Sequence, residues 1–314
     1  MTDYDVFNGD ADGIISLVQL RLSEPRHAEL VTGRKRDIKL LDRVQATSGD
    51  RVTVLDISMR SNADDLRRIL DTGAKVQYFD HHNAGDIPDH ANLDATINTA
   101  SEVCTAVLVD QYLGGAHRAW AVAAAYGDNF PAMAERLATG HHLPLAQLKE
   151  LGELINYNGY GGSVDDLLYH PADLFRLLVK HATPMAFLTE AGEPFFALQE
   201  QYASDWAMAQ ASQVMDNRPK GRVLALSDTA ASRRISGDYG NKLAQENPDR
   251  AHAILTAQAD GYLVSIRAPI NKREGADTLA LQFETGGGRA AAAGINHLPD
   301  ADVTRFIEAF RAAF

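Results

Sequence analysis

Asp80, His81 and His82 stand together at the end of the apolar run Ala74 to Phe79, in the stretch GAKVQYFDHHN. A carboxylate and two imidazoles crowded onto one strand end are costly unless something binds there, and these residue types are ligands for metals and partners for phosphate. Adjacent histidines alone are ordinary in a solvated loop. Two earlier apolar runs, however, also end in carboxylates: YDVFN runs into Asn8-Gly9-Asp10-Ala11-Asp12-Gly13, and RVTVL runs into Asp56. Three acid-bearing strand ends point to one shared centre, of which Asp80 to His82 would form half. The basic cluster Arg34-Lys35-Arg36 follows another apolar run, AELVT, and adds Arg34 as a candidate for substrate contact.

The elements that must position these residues alternate. YDVFN, AELVT, RVTVLDI and KVQYFD read as strands, with GIISLVQLRL, DIKLLDRVQA (37–46) and NADDLRRILDTG as helices, the last stopped by Gly73. Such alternation predicts an α/β fold with a doubly wound parallel sheet. Ligands of these sheets bind outside the carboxyl ends of the strands, where Asn8, Asp10, Asp12, Asp56 and Asp80 to His82 all fall. The chain then reads as mostly helical to about residue 215, including SEVCTAVLVDQYL (101–113) and an alanine-rich helix ending at Asp128, which by itself reads as a helix cap. Arg218-Pro219-Lys220-Gly221 breaks the pattern. Beyond it, strands and helices alternate again in a smaller α/β domain. There Gly286-Gly287-Gly288-Arg289 reads as a loop offering unhindered backbone N–H groups and a guanidinium to a phosphate, with Arg267 as a second cation. His141, His142 and His170 have no such partners and read as structural.

FNGDADGIIS, VLDIS, YFDHHN and AAAYGDN, followed by VSIRA and GGGRAAAAG, occur in the order of the motifs of the DHH phosphoesterase family with its associated C-terminal domain, and the chain resembles that family over nearly its whole length. The family includes RecJ nucleases, nanoRNases, cyclic-dinucleotide phosphodiesterases and manganese pyrophosphatases. The resemblance implies a DHH catalytic domain over 1–192, a linker helix over 193–220 and a substrate-binding domain over 221–314. It implies two divalent ions, with manganese expected from the mixed carboxylate and imidazole ligands: Asp10 and Asp56 on one, and Asp12, Asp56, His81 and Asp128 on the other. Two ions roughly 3.5–4 Å apart would activate water for in-line attack. His82 would face the substrate phosphate, with Asp80 orienting an imidazole. Many members carry a histidine ligand ahead of the paired aspartates, whereas this chain has Asn8, an additional and weaker candidate ligand.

Composition narrows the function. A chain of 314 residues, 45% hydrophobic and 23% charged, suits a two-domain globular protein. One cysteine, Cys104, excludes an intrachain disulfide and reads as a buried apolar residue; no apolar run approaches the roughly 20 residues of a membrane span. A cytoplasmic protein with no membrane partner is expected, and a homodimer is compatible with this reading. The net charge of −12 argues against coating long nucleic acid. Residues 218–314 nevertheless carry +2, against −14 for residues 1–217, which suits an acidic, cation-holding domain and a mildly basic, phosphate-holding one. The expected activity is hydrolysis of short oligonucleotides or linear dinucleotides to nucleoside monophosphates. The alternatives are a single-strand exonuclease, a phosphomonoesterase, or a nucleotide-binding regulator whose catalysis has decayed.

Overall fold

The structure is a computed structural model that describes residues 1–100 and 102–314; Ser101, where the helical pattern around Cys104 was expected to begin, lies outside them. The chain divides into two units, Met1–Gln199 and Glu200–Phe314. Among the described residues no helix is long and apolar enough to cross a membrane.

In the first unit β1 (Asp3–Phe7), β2 (Glu29–Val31), β3 (Arg51–Leu55), β4 (Lys75–Asp80) and β5 (Leu93–Ile97) form an all-parallel sheet in the order β2-β1-β3-β4-β5. This is a doubly wound order whose direction reverses between β1 and β3, leaving a crevice at their carboxyl ends. Phe7 pairs with Leu55 and Leu55 with Phe79, so the residues that follow three different strands arrive at one level. One helix, α1 (Ala11–Ser23), is buried from Ala11 to Arg21. Burying Ile14, Ile15, Leu17 and Leu20 contributes about 1.5–3 kcal/mol each. The Arg21 guanidinium donates to both Asp5 oxygens, at 2.8 Å from Nε to Oδ2, and to Thr53 Oγ1 at 3.0 Å, which ties α1 to β1 and β3.

Helices α2 (Ala63–Asp71), α3 (Thr105–Tyr112), α4 (Arg118–Gly127), α5 (Pro131–Ala138), α6 (Leu145–Asn158), α7 (Pro171–Leu178) and α8 (Pro184–Glu190) complete this unit, and α9 (Glu193–Gln210) spans the division. The alanine-rich α4 packs between α1 and α6. A Cβ on Gly127 would lie 2.5 Å from that of Ala11, and one on Gly152 would lie 1.9 Å from the Ala123 carbonyl oxygen. Small residues at this crossing bring the end of α4, and with it Asp128, against the start of α1.

The second unit has a six-stranded sheet in the order β10-β11-β9-β8-β7-β6, with β6 (Gln213–Arg218), β7 (Gly221–Leu226), β8 (Ala251–Gln258), β9 (Gly261–Arg267), β10 (Gly286–Arg289) and β11 (Ala292–Leu298). Only β7 and β8 run parallel. Val223, Ala253, Leu255, Ile266 and Ile295 form its core with Phe306 and Phe310 of α12 (Val303–Ala313), while α10 (Ala230–Glu246) and the short α11 (Ala276–Ala280) also pack on the sheet.

Three local expectations are corrected. Residues 37–46 form a single 3-10 turn, Leu41–Arg43, although Leu40, Leu41, Val44 and Ala46 are buried as a helix face would be. Their backbone groups are satisfied by side chains instead: Asn62 bonds Ile38 O and Leu41 N, and Arg68 bonds Leu41 O and Val44 O. Cys104 is buried, but it caps α3 rather than lying within it. The helix expected over 193–220 ends at Gln210; residues 213–218 are strand, and Pro219-Lys220 is the two-residue turn between Arg218 and Gly221, which pair across β6 and β7.

Candidate metal centre

The turn from β1 into α1 brings two carboxylates to the β1/β3 crevice. Asp10 caps α1, its Oδ1 accepting from Gly13 N–H at 3.0 Å. Gly13 is required here because a Cβ would lie 2.3 Å from the Asn8 carbonyl oxygen, so only glycine lets the helix start this close to the strand. Asp12 is fully buried and accepts from Thr105 N–H and Ala106 N–H, both at 2.7 Å. These are otherwise unpaired donors at the start of α3.

Asp56 ends β3 with φ +60°, a left-handed conformation that aspartate tolerates better than most residues and that costs on the order of 1 kcal/mol. Its N–H donates to Phe79 O at 3.0 Å, and Thr105 Oγ1 donates to its Oδ1 at 3.2 Å. The backbone is thus strained to turn this carboxylate into the crevice. From β4, His81 Nε2 reaches Asp56 Oδ1 at 3.4 Å, Asp128 Oδ2 at 3.6 Å and Asp12 Oδ2 at 3.9 Å. His82 Nδ1 lies 2.7 Å from Asp80 Oδ1 and 3.8 Å from Asp56 Oδ1, with nearly half of its side chain exposed.

A residue that sequence reasoning passed over completes the cluster. Lys35 Nζ lies 2.7 Å from Asp10 Oδ2, 2.9 Å from Asn156 Oδ1 and 3.3 Å from Asp128 Oδ1. The basic run Arg34-Lys35-Arg36 was a visible signal, but Arg34 was the residue expected to matter. The Arg34 guanidinium is instead taken by Asp37 and the Gly162 carbonyl, so it braces the loop that presents Lys35. Asn8, a candidate ligand, donates its amide to Lys35 O at 3.4 Å and leaves a buried Oδ1 without a partner. Thr105 and Asn156 carried no sequence signal. His170 caps α7 by accepting from Ala172 N–H, a structural role.

The electrostatics follow from crowding. Burial raises the Asp56 carboxyl well above its ordinary value, and Asp12, Asp10, Asp128 and Asp80 push it further. Burial and then Asp12 raise Asp128 to about 7, against the opposing pull of Lys35. Burial would also raise Asp10, but Lys35 and the Gly13 N–H outweigh it and hold that group low. Lys35 itself, which burial would lower, is held well above its ordinary value by Asp10 and other anionic neighbours. The hydrogen bond that His82 Nδ1–H donates to Asp80 raises the imidazole's pKa and favours the imidazolium. Buried acids that repel one another are what a bound cation relieves.

Among the described residues two groups have ligand atoms within 4.8 Å of one another, Asp12–His81–Asp128 and Asp56–His81–His82. Their carboxylate and imidazole donors fit a divalent ion such as manganese. Asp10 belongs to neither group: its Oδ1 accepts from Gly13 N–H and its Oδ2 lies 2.7 Å from Lys35 Nζ.

In the second unit Gly286 to Arg289 are edge strand β10, paired with β11, and not a phosphate-cradling loop. Packing explains two of the glycines: a Cβ on Gly286 would lie 1.7 Å from Ala280 O, and one on Gly288, at φ +141°, would lie 2.4 Å from Ala293 Cα. Gly287 has open space where its side chain would be. Arg289 pairs with Ala292 and Ala292 with Arg267, which sets the two arginines in one row on one face, two strands or roughly 10 Å apart. Arg267 also donates to Asn241 Oδ1 at 2.7 Å.

No family model matches the sequence, and no curated protein matches it. Solved structures do match in fold. A DHH-domain structure described as a member of a family of ribosomal proteins superposes with TM-score 0.63 at 14% identity, over 99% of this chain and 86% of that one. The exonuclease RecJ bound to manganese gives 0.62 at 15%, over 99% and 89%. A pGpG-specific phosphodiesterase from Vibrio cholerae gives 0.57 at 17%, over 100% of both chains.

Proposed function

We propose that this chain, which has the fold of the DHH phosphoesterases, is a metal-dependent phosphodiesterase acting on short oligonucleotides or linear dinucleotides and releasing nucleoside monophosphates. The observation that carries the reading is the meeting of Asp12, Asp56, His81 and Asp128, from four separate segments, around one imidazole nitrogen at the β1/β3 crevice. A structural role would not require three mutually repelling carboxylates to converge on one imidazole.

A divalent ion held there would act as a Lewis acid on a phosphoryl oxygen and lower the pKa of a bound water. Asp12, fixed by two N–H groups of α3, and Asp56, fixed by Thr105, orient their oxygens without further rearrangement, and such preorganisation is the main route to transition-state stabilisation. His82, whose imidazolium form Asp80 favours and which is nearly half open to solvent, would bind a phosphate oxygen or give a proton to the leaving alkoxide. Arg267 and Arg289 supply a basic row suited to a nucleotide phosphate, and Gly287 leaves room beside it. The manganese-bound RecJ and the pGpG phosphodiesterase support the choice of ion and of substrate class by likeness of fold.

The test is manganese-dependent release of nucleoside monophosphate from a labelled linear dinucleotide, in a panel with longer single strands, cyclic dinucleotides and a phosphomonoester. Fastest turnover of the linear dinucleotide is expected. Binding without turnover of any member would establish the regulator alternative instead.

A further inference from the structure

We infer that the Lys35 ammonium is a resident cation of the carboxylate cluster and stands where a second metal ion would otherwise bind, so that the centre takes one divalent ion, at His81. The inference rests on the metal-dependent reading above and specifies its stoichiometry. Three acceptor oxygens surround Nζ, those of Asp10, Asn156 and Asp128, and they match the three N–H donors of an ammonium group. The lysine is held from both sides of its own backbone. Its N–H donates to Gly159 O at 2.9 Å, and its carbonyl accepts from the Asn8 amide. Arg34 and Asp37 close the turn around it, and the Tyr160 ring centroid lies 5.6 Å from Nζ. A flexible surface lysine has none of these restraints.

The remaining donors support a single ion. Both ligand groups share His81, whose Nε2 is the atom directed at Asp12, Asp56 and Asp128, and one imidazole nitrogen offers one lone pair. Asp10 belongs to neither group. Charge points the same way. Asp10 and Asp128 already meet the Lys35 ammonium, and a second divalent ion on the same oxygens would sit within a few ångströms of that like charge, where the repulsion is large. In this arrangement the His81 site would supply one positive pole when an ion is bound, and the Lys35 ammonium would supply the second without loading from solution.

Manganese stoichiometry tests the inference independently of turnover. Wild-type protein stripped with chelator and titrated with manganese chloride by calorimetry is expected to bind one ion per chain, with the electron paramagnetic resonance spectrum of an isolated ion. Lys35→Met is expected to bind two, with the spectrum of an exchange-coupled pair. Asp10→Asn, which spares the His81 ligands, is expected to keep one and guards against misfolding of the lysine variant. Two tightly bound ions in the wild type, one ion in a folded Lys35→Met, or loss of the ion in Asp10→Asn would each overturn the inference and leave the phosphodiesterase reading standing. No manganese bound by any of the three would overturn both.

Discussion

Asp56→Asn should make the metal-free protein more stable while removing its function. Asparagine keeps the shape of aspartate and tolerates φ +60°, so the strained turn survives the substitution. It removes a charge that sits buried among Asp12, Asp10 and Asp128. Two like charges about 4 Å apart repel by about 4 kcal/mol at an effective dielectric of 20, and partial protonation already relieves most of this. A net gain of about 1–2 kcal/mol remains, which for a unit of this size raises Tm by about 2–8 °C. The assay is thermal unfolding in chelator and again in manganese. Wild type should gain about 2.7 kcal/mol at manganese a hundredfold above its Kd, or roughly 5–10 °C. The variant should gain less than half of that and lose at least tenfold in turnover, since it lacks a charged ligand at the reacting centre. A metal-free Tm below that of wild type, or an undiminished manganese shift, would refute the reasoning.

Arg289→Ala should raise KM for a dinucleotide about tenfold, given about 1.5–3 kcal/mol for a charge-assisted hydrogen bond, and leave hydrolysis of bis(p-nitrophenyl) phosphate nearly unchanged; equal losses on both substrates would return Arg289 to the fold. Arg21→Met should cost about 3–5 kcal/mol by stranding the buried Asp5, and the double variant Arg21→Met/Asp5→Leu should recover most of it in urea unfolding; no recovery would mean that the pair is not what holds α1 to the sheet. His252 is buried between Arg250 and Arg222, and burial first, then those cations, lower it to about 4. The unfolded chain therefore binds a proton that the folded chain refuses between about pH 6.5 and 4, and stability falls as pH drops through that window. His252→Leu should remove on the order of 2 kcal/mol of that loss once solvent screening is allowed for, read as the difference between the two proteins in urea unfolding at pH 7 and pH 4.5. Parallel pH profiles would show that the imidazole is protonated in the fold.

What could be read in advance was what a short stretch determines for itself. Asp10, Asp12, Asp56 and Asp80 to His82 follow strands whose apolar character is unambiguous, and a parallel sheet sends all such ends to one edge. What escaped depended on distant partners. Residues 37–46 have a helical apolar pattern, yet Asn62 and Arg68 bond the backbone groups that a helix would use itself. Glycine is a poor strand former, and the sequence of β10 shows nothing of Ala280 and Ala293, which leave room for glycine and little else. Residues 213–218 continue a helical apolar pattern and become strand because β7 offers them a partner across a two-residue turn.

Lys35 is the sharpest case, because nothing in Arg34-Lys35-Arg36 distinguishes a cation bound for the carboxylate cluster from two that are not. The distinction is made by contacts 93 and 121 residues away, at Asp128 and Asn156. It also bears on how the centre survives without metal. A crevice lined by four mutually repelling carboxylates would oppose folding until a cation arrived, whereas one fixed ammonium holds Asp10 ionised and draws on Asp128, leaving Asp56 as the group whose repulsion a metal must relieve. That division of labour is why Asp56, rather than Asp10, is the position at which stability and function are expected to part.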